Sequence, residues 1–396
     1  MRSRQLVLAV TVLLAVQAFL DCSGWRRRRW MAQEVDALFQ VYMGNVPGAA
    51  VMVVRDGRPV ITRCYGLADL EQKQPVKECT NFRLASVSKQ FTAMCITILV
   101  ERGQLSYDLT LRDLFPDFPP YGRSITVDHL LHHTSGLIDY ESLLPDSMTR
   151  QVSDSVVLSL MMAQDSTYFP AGSQFRYSNS GYAVLAMVVE KVSGRRFADF
   201  LREQVFLPAG MSATIAYERG GPPVQCRAYG YQVVADTGFV FRDQSATSAV
   251  LGDGGIYSSL RDLRRWDQAL YTDRLVSAQA LERAFTPGLL NDGTSTSYGY
   301  GWRLDSYRGH RRMHHTGSTC GFATLIQRYP DDRFCVIVLT NRNEPSVMAL
   351  GDRLTDLFLH WGEGGTRVNP ALLRGFLWKE YPMCSDEPER GFCPGS

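Results

Sequence analysis

The chain has 396 residues, 45% hydrophobic and 21% charged, an ordinary globular composition with length enough for more than one lobe. A formal net charge of +2 gives no electrostatic footprint for nucleic acid or for a broadly acidic partner. No internal repeat or low-complexity tract interrupts it.

Arg2 and Arg4 precede an apolar run from Leu6 to Leu20, and Val16-Gln17-Ala18 places small residues at cleavage positions. That is the layout of an export signal. The run is shorter than the about 20 apolar residues of a membrane span. The block Arg26 to Arg29 opposes translocation, and suits either a solvated segment or contact with anionic headgroups. The chain is therefore expected to be exported, periplasmic or secreted, with residues 1–24 a cleaved signal or a retained anchor near the membrane.

Nine cysteines are compatible with an oxidising compartment. Cys384 and Cys393 bracket a short polar stretch and could close a disulfide loop within the tail 362–396. Cys64, Cys79, Cys95, Cys226, Cys320 and Cys335 are scattered, without zinc-site spacing, so no metal is expected. Cys95 and Cys335 lie in apolar runs and are expected as buried thiols.

In chain order, a helix is predicted from Ala32 to about Met43. A strand over Ala49–Val54, a tight turn at Asp56-Gly57 and a returning strand over Val60–Tyr65 follow. Ser86 opens a long helix ending at Gly103. Val87, Phe91, Met94, Ile98 and Leu99 keep helical spacing, while Ala93, Ile96 and Val100 fill other faces, so this helix is central and buried. From 109 to 245 the pattern is helical with loops, including Val127–Leu131, Asp154–Met162, Tyr182–Val192 and Phe197–Val205, and no strand series. Ser259-Leu260-Arg261-Asp262 is a capping box. Strands return at Gly321–Tyr329 and Phe334–Thr340, around a turn at Pro330-Asp331-Asp332, and the last helix runs to about Trp361. The predicted fold is α/β of the α+β type, with an antiparallel sheet flanked by helices and built from both ends of the chain. The domain 31–361 divides into an α/β lobe (about 31–108 and 246–361) and an inserted, mainly helical lobe (about 109–245), with a cleft between them.

Of 42 basic residues only five are lysine, and one is Lys89 in Ser86-Val87-Ser88-Lys89. Arginine cannot give up its proton in a protein, whereas a desolvated lysine can. At a helix start Ser86 would face unsatisfied N–H groups and the positive dipole end. Lys89 lies one turn on, about 5–6 Å away between Cβ atoms. The pair has the form of a nucleophile and its proton acceptor. The plain alternative is a capping serine beside a solvated lysine, and the spacing alone arises readily by chance.

Two further segments, Tyr177-Ser178-Asn179 and His315-Thr316-Gly317, supply context. With the first they resemble the serine β-lactamase and penicillin-binding-protein group, especially the class C-like branch with its D-alanyl peptidases and esterases. The resemblance runs from about Met31 to His360. It includes Phe82-Arg83-Leu84-Ala85-Ser86, His132-His133-Thr134-Ser135-Gly136-Leu137, Pro170-Ala171-Gly172 and Gly254-Gly255-Ile256-Tyr257-Ser258-Ser259.

The resemblance implies that Tyr177 moves protons together with Lys89, and that Asn179 bonds a substrate amide. It makes His315, Thr316 and Gly317 a substrate-binding strand, with the N–H groups of Ser86 and Ser318 as the oxyanion hole. By residue type alone, Tyr177 could equally be a core tyrosine and Asn179 a helix cap. His133 belongs to a second His-Thr string that follows a helical run, and reads as structural, bonding its own turn. Gly317 would let substrate approach the strand. Gly252-Asp253-Gly254-Gly255 reads as a turn, since it lacks the lysine of a phosphate loop. His315 stands where β-lactamases usually carry lysine. An ordinary histidine is mostly neutral at pH 7, so a substrate carboxylate would be held weakly or pH-dependently.

These readings predict a serine hydrolase without cofactor, acting on an amide or ester of a small molecule or peptide through an acyl group on Ser86. They favour a peptidase or esterase over a dedicated β-lactamase. A class C-like β-lactamase and a non-turnover penicillin-binding or scaffold protein are the alternatives.

Overall fold

The computed structural model describes residues 29–235 and 238–359. The expected export signal, residues 26–28 of the arginine block and the expected Cys384–Cys393 loop lie outside the described residues. Among those described, no helix is long and apolar enough to cross a membrane.

The chain up to Met43 is a unit of its own. It holds a helix over residues 29–38 and a 3-10 turn at Gln40–Tyr42, so the helix is shorter than its predicted end near Met43.

From Gly44 onward, the main sheet has six strands, all antiparallel: β1 (Ala49–Arg55), β2 (Arg58–Tyr65), β3 (Arg303–Tyr307), β4 (His310–Thr319), β5 (Phe322–Tyr329) and β6 (Phe334–Thr340). Their order is β3-β4-β5-β6-β1-β2, so the early hairpin docks on the late strands through β1 and β6. The register pairs Met52 with Ile337 and Ala49 with Thr340. Every residue of β6 is buried, because both faces of the sheet are covered, and a strand buried on both faces reads as a continuous apolar run.

Four helices matter to the site: α1 (Lys89–Glu101), α2 (Asn179–Ser193), α3 (Leu260–Ala269) and α4 (Val347–Phe358). Helix α3 is tied to one sheet face by the buried pair Arg328–Asp267, 2.6 Å apart. Helix α4 covers the other face, where Gln327 donates to Asp352 at 2.9 Å. Lys89 to Leu99 of α1 are all buried, as its all-round apolar pattern predicts. Phe91 packs against Trp266 of α3 at 4.6 Å between ring centres, and the Trp266 indole donates to Gln90.

The segment 109–245 is helical but not free of strands. Ile215–Ala216 joins a small sheet with Ile256–Ser258 and Phe82–Arg83, and Tyr231–Val234 pairs with Gly238–Phe241. Strands this short leave too few residues for an alternating pattern to show. The small sheet has a consequence for the site, because it lays the approach to Ser86 beside residues 253–258.

Candidate active site

Ser86 lies in a 3-10 turn, Ala85–Ser88, that runs directly into α1. Lys89 is fully buried. Its Nζ lies 3.2 Å from Ser86 Oγ, 2.7 Å from Asn179 Oδ1 and 3.0 Å from the backbone oxygen of Asp253. Two of these partners are carbonyl oxygens, which can only accept. The third is a hydroxyl, which can also donate. The arrangement therefore suits a neutral amine as well as an ammonium: two N–H groups donate, and the lone pair faces the Ser86 O–H.

The surrounding chain explains why Lys89 meets these groups. Ser88 Oγ accepts from Ile256 N–H, and Thr92 Oγ1 donates to Gly252 O at 2.7 Å, so α1 is fastened to residues 252–256. A Cβ on Gly252 would sit 2.3 Å from Tyr182 O, so only glycine lets this segment wedge against α2. The glycine string read as a turn is thus one short helix, Leu251–Gly254, that presents Asp253 O to the lysine. Asn179 opens α2, whose N-cap is Ser178, not Asn179.

Asn179 is engaged at both ends of its amide, accepting from Lys89 and donating from Nδ2 to Glu141 Oε1 at 2.7 Å. Within the protein, this amide orients the lysine. Tyr140 donates to Asp253 Oδ2 at 3.0 Å. Burial pushes the Glu141 carboxyl up to about 7, with the nearby Asp253 charge adding to it. Burial likewise raises Asp253 to about 7 against the opposing pull of Lys89. Glu141, Tyr140 and Asp253 were not singled out by sequence reasoning. A lone acid after Tyr140 carries no signal until the fold shows what it faces.

Tyr177 places its ring under Lys89, with Nζ 4.8 Å from the ring centre. His133 packs on that ring at 4.4 Å. Its Nδ1 accepts from the Ser178 N–H at 3.0 Å, so it fastens the tyrosine segment and does not bond its own turn. The two strings are joined again where Arg176 N–H donates to His133 O. Burial, then Lys89 and His315, hold His133 well below its ordinary pKa, so it is neutral.

The third motif lies on β4. A Cβ on Gly317 would meet Leu84 O at 2.0 Å and Ala85 Cβ at 3.1 Å, so this glycine admits the nucleophile's own backbone. Ser318, next along, is exposed. Strand β3 pairs only with His310–His314, so residues 315–319 have no ladder partner on that side among the described residues.

His315 is fully buried, with Nε2 3.0 Å from the Tyr298 hydroxyl and Nδ1 2.6 Å from Thr316 O. A carbonyl can only accept, so the proton sits on Nδ1 and Nε2 accepts from Tyr298. Burial, then the Arg303 and Lys89 charges, hold its pKa well below the ordinary value. The expected pH-dependent grip of this ring on a carboxylate is therefore not built here. Arg303 is the cation nearer solvent: half-buried on β3, it sits 5.6 Å from the Tyr177 ring centre. Sequence reading missed it, because arginine is the common base in this chain.

Residues 35–359 match the family model described as Beta-lactamase. The chain belongs to the beta-lactamase family. It is 38% identical over 308 residues to penicillin-binding protein 4* of Bacillus subtilis, covering 74% of this chain and 68% of that one. It is 31% identical to the D-aminopeptidase of Brucella anthropi, covering 76% of this chain and 57% of that protein, less than two thirds of its length. Among solved structures, a penicillin-binding protein from Bacillus halodurans superposes with a TM-score of 0.69 at 28% identity, covering 81% of this chain and 98% of that one. The D-amino acid amidase of Ochrobactrum anthropi SV3 shares the fold, with a TM-score of 0.70 at 23% identity over 83% of this chain and 98% of its own. Ser86, Lys89, Tyr177 and Asn179 lie together within the matched residues, and among the described residues no group of His, Cys, Asp and Glu is arranged to hold a metal.

Proposed function

We propose that this beta-lactamase-family chain is a peptidase or amidase that cleaves its substrate through an acyl-enzyme on Ser86. The observation that carries the reading is Lys89 Nζ, 3.2 Å from Ser86 Oγ and held in place by Asn179 and Asp253. Ser86 Oγ attacks the substrate carbonyl and its proton passes to Lys89 as the amine. The same proton then goes to the departing nitrogen, which leaves the acyl ester on Ser86. Water releases the acyl group, with Tyr177 and Lys89 taking the water's proton. The Ser86 and Ser318 N–H groups are assigned to the developing oxyanion.

Two features support an amide or peptide substrate. Residues 315–319 offer a strand side with no ladder partner among the described residues, along which an extended chain can hydrogen-bond. Arg303 supplies a permanent positive charge beside Tyr177, suited to a substrate carboxylate. Likeness to proteins named D-aminopeptidase and D-amino acid amidase favours an amide next to a D-residue. His315, neutral where β-lactamases carry lysine, disfavours a dedicated β-lactamase. Export of the chain belongs to the same proposal, on the basic-then-apolar pattern of residues 2–20.

The test is a panel of p-nitrophenyl esters, D-alanyl peptides, D-amino acid amides and a chromogenic cephalosporin. Turnover should be greatest on the peptide or amide members. Preferential turnover of the cephalosporin would overturn the reading, and a lasting adduct without turnover would replace it with a binding role.

A further inference from the structure

The fold brings together two cysteines that stand 147 positions apart in sequence. Cys79 and Cys226 face each other with their Sγ atoms 3.9 Å apart. Cys226 is exposed and Cys79 half-buried, so a small oxidant reaches both. The backbone around them is pinned from both sides. Asn81 N–H donates to Cys226 O and Ala228 N–H donates to Asn81 O, each at 2.9 Å, while Asn81 Nδ2 donates to Gln225 O at 2.7 Å. With the two backbones locked in register, closing the gap to a bond of about 2.05 Å needs only side-chain rotation and a small shift. Cys226 also holds φ at 47°, a conformation costly for a residue with a Cβ and usual for glycine or asparagine. A thiol kept at such a position is consistent with a use for its sulfur.

We propose that Cys79 and Cys226 form a disulfide that clamps the strand leading to the nucleophile onto the 217–230 segment. Each thiol loses a proton, and together they lose two electrons to a low-molecular-weight disulfide, which is reduced to two thiols. The exchange runs through a mixed disulfide, attacked by the second cysteine.

The clamp's place gives it a consequence. Cys79 lies seven residues before Ser86, and the intervening Phe82–Arg83 pairs with Ile256–Ser258. The residue after Cys226, Arg227, is ion-paired to Asp243 and donates to Tyr257 on that same strand. The crosslink therefore closes a ring of elements around the approach to the nucleophile. It spans a long loop of chain, the case in which restricting the unfolded state stabilises most. It touches no reacting atom, so its effect falls on thermal persistence and not on the chemical step.

The full chain, fully reduced, is compared with the same chain treated with oxidised glutathione. Alkylation and peptide mass mapping identify which thiols are lost, and thermal melting is followed in both states. The expected result is a peptide pair linked through Cys79 and Cys226, a Tm several degrees higher in the oxidised chain, and no such redox-dependent shift in C79S/C226S. Acylation of Ser86 at ambient temperature should be the same in both states. The proposal is overturned if Cys79 and Cys226 both remain alkylatable after oxidation, or if Cys79 links instead to Cys64. It is also overturned if C79S/C226S keeps the full redox-dependent shift, which would assign it to other cysteines.

Discussion

Asn179 holds Lys89 by a 2.7 Å hydrogen bond to Nζ, and the opposite end of the same amide is anchored by Glu141. The amide thus works as a strut between the lysine and a half-buried carboxyl. N179A removes an acceptor from a buried amine, a loss of about 1–3 kcal/mol, or roughly 5- to 150-fold in rate. Steady-state kinetics should show the loss mainly in kcat, because the strut acts on Lys89. A loss confined to KM would return Asn179 to a purely substrate-binding role.

K89R keeps a basic side chain but removes the ability to accept a proton. Acylation should fall by about 100- to 10,000-fold, the usual contribution of a positioned base. Circular dichroism and melting should separate this from misfolding, since the variant places a larger cation in a fully buried site.

Asp154 is buried and accepts from the Leu251 and Gly252 N–H groups, which fixes the segment that presents Asp253 O to Lys89. Burial nonetheless raises its carboxyl from 3.8 to about 7. The folded chain therefore binds a proton that the unfolded chain releases between these values. The stability this group gives is full below about pH 4 and declines as pH rises towards 7, by up to about 4 kcal/mol. D154N should flatten that part of the stability profile: its deficit against the parent chain should shrink as pH rises from about 5 to about 8. Denaturant melts across that range give the answer, and a constant deficit would show that Asp154 is already charged in the fold.

Arg328 and Asp267 are both buried where α3 meets the sheet. D267A leaves the guanidinium unpaired in that interior, and a loss of about 3–5 kcal/mol is expected from removing one partner of a buried pair. The double change R328M/D267A should recover much of it, measured by urea denaturation.

Arg303 places a guanidinium beside the Tyr177 ring, and His315 is neutral. R303A should raise KM for substrates bearing a carboxylate by roughly 10-fold and leave uncharged esters little changed, with the parent's preference weakening as salt rises. For the parent chain, KM for the carboxylate substrates should show no step near pH 6.5. Such a step would restore His315 as the contact.

The outline of the fold was legible because its signals are local. The Asp56-Gly57 hairpin, the apolar run of β6 and the all-round apolar α1 each announce themselves within a dozen residues. So did the pairing of Ser86 with Lys89, which needs only one helical turn. What stayed hidden depends on contacts across long stretches of chain. Glu141 and Asp253 look like ordinary acids until they flank Asn179 and Lys89. Gly252 looks like a turn residue until Tyr182 O lies where its Cβ would be. His315 reads from its chemistry as a weak or pH-dependent contact for a carboxylate, but burial beside Tyr298 makes it a neutral link. Cys79 and Cys226 look scattered because nothing local records that Asn81 joins their backbones.

The most direct test of the account is rapid mixing of the parent chain and S86A with an activated ester, followed by intact-mass spectrometry. The account predicts a burst of one equivalent in the parent chain, an acyl adduct mapped to Ser86, and neither in S86A. An undiminished rate in S86A, or an adduct on any other residue, would contradict it.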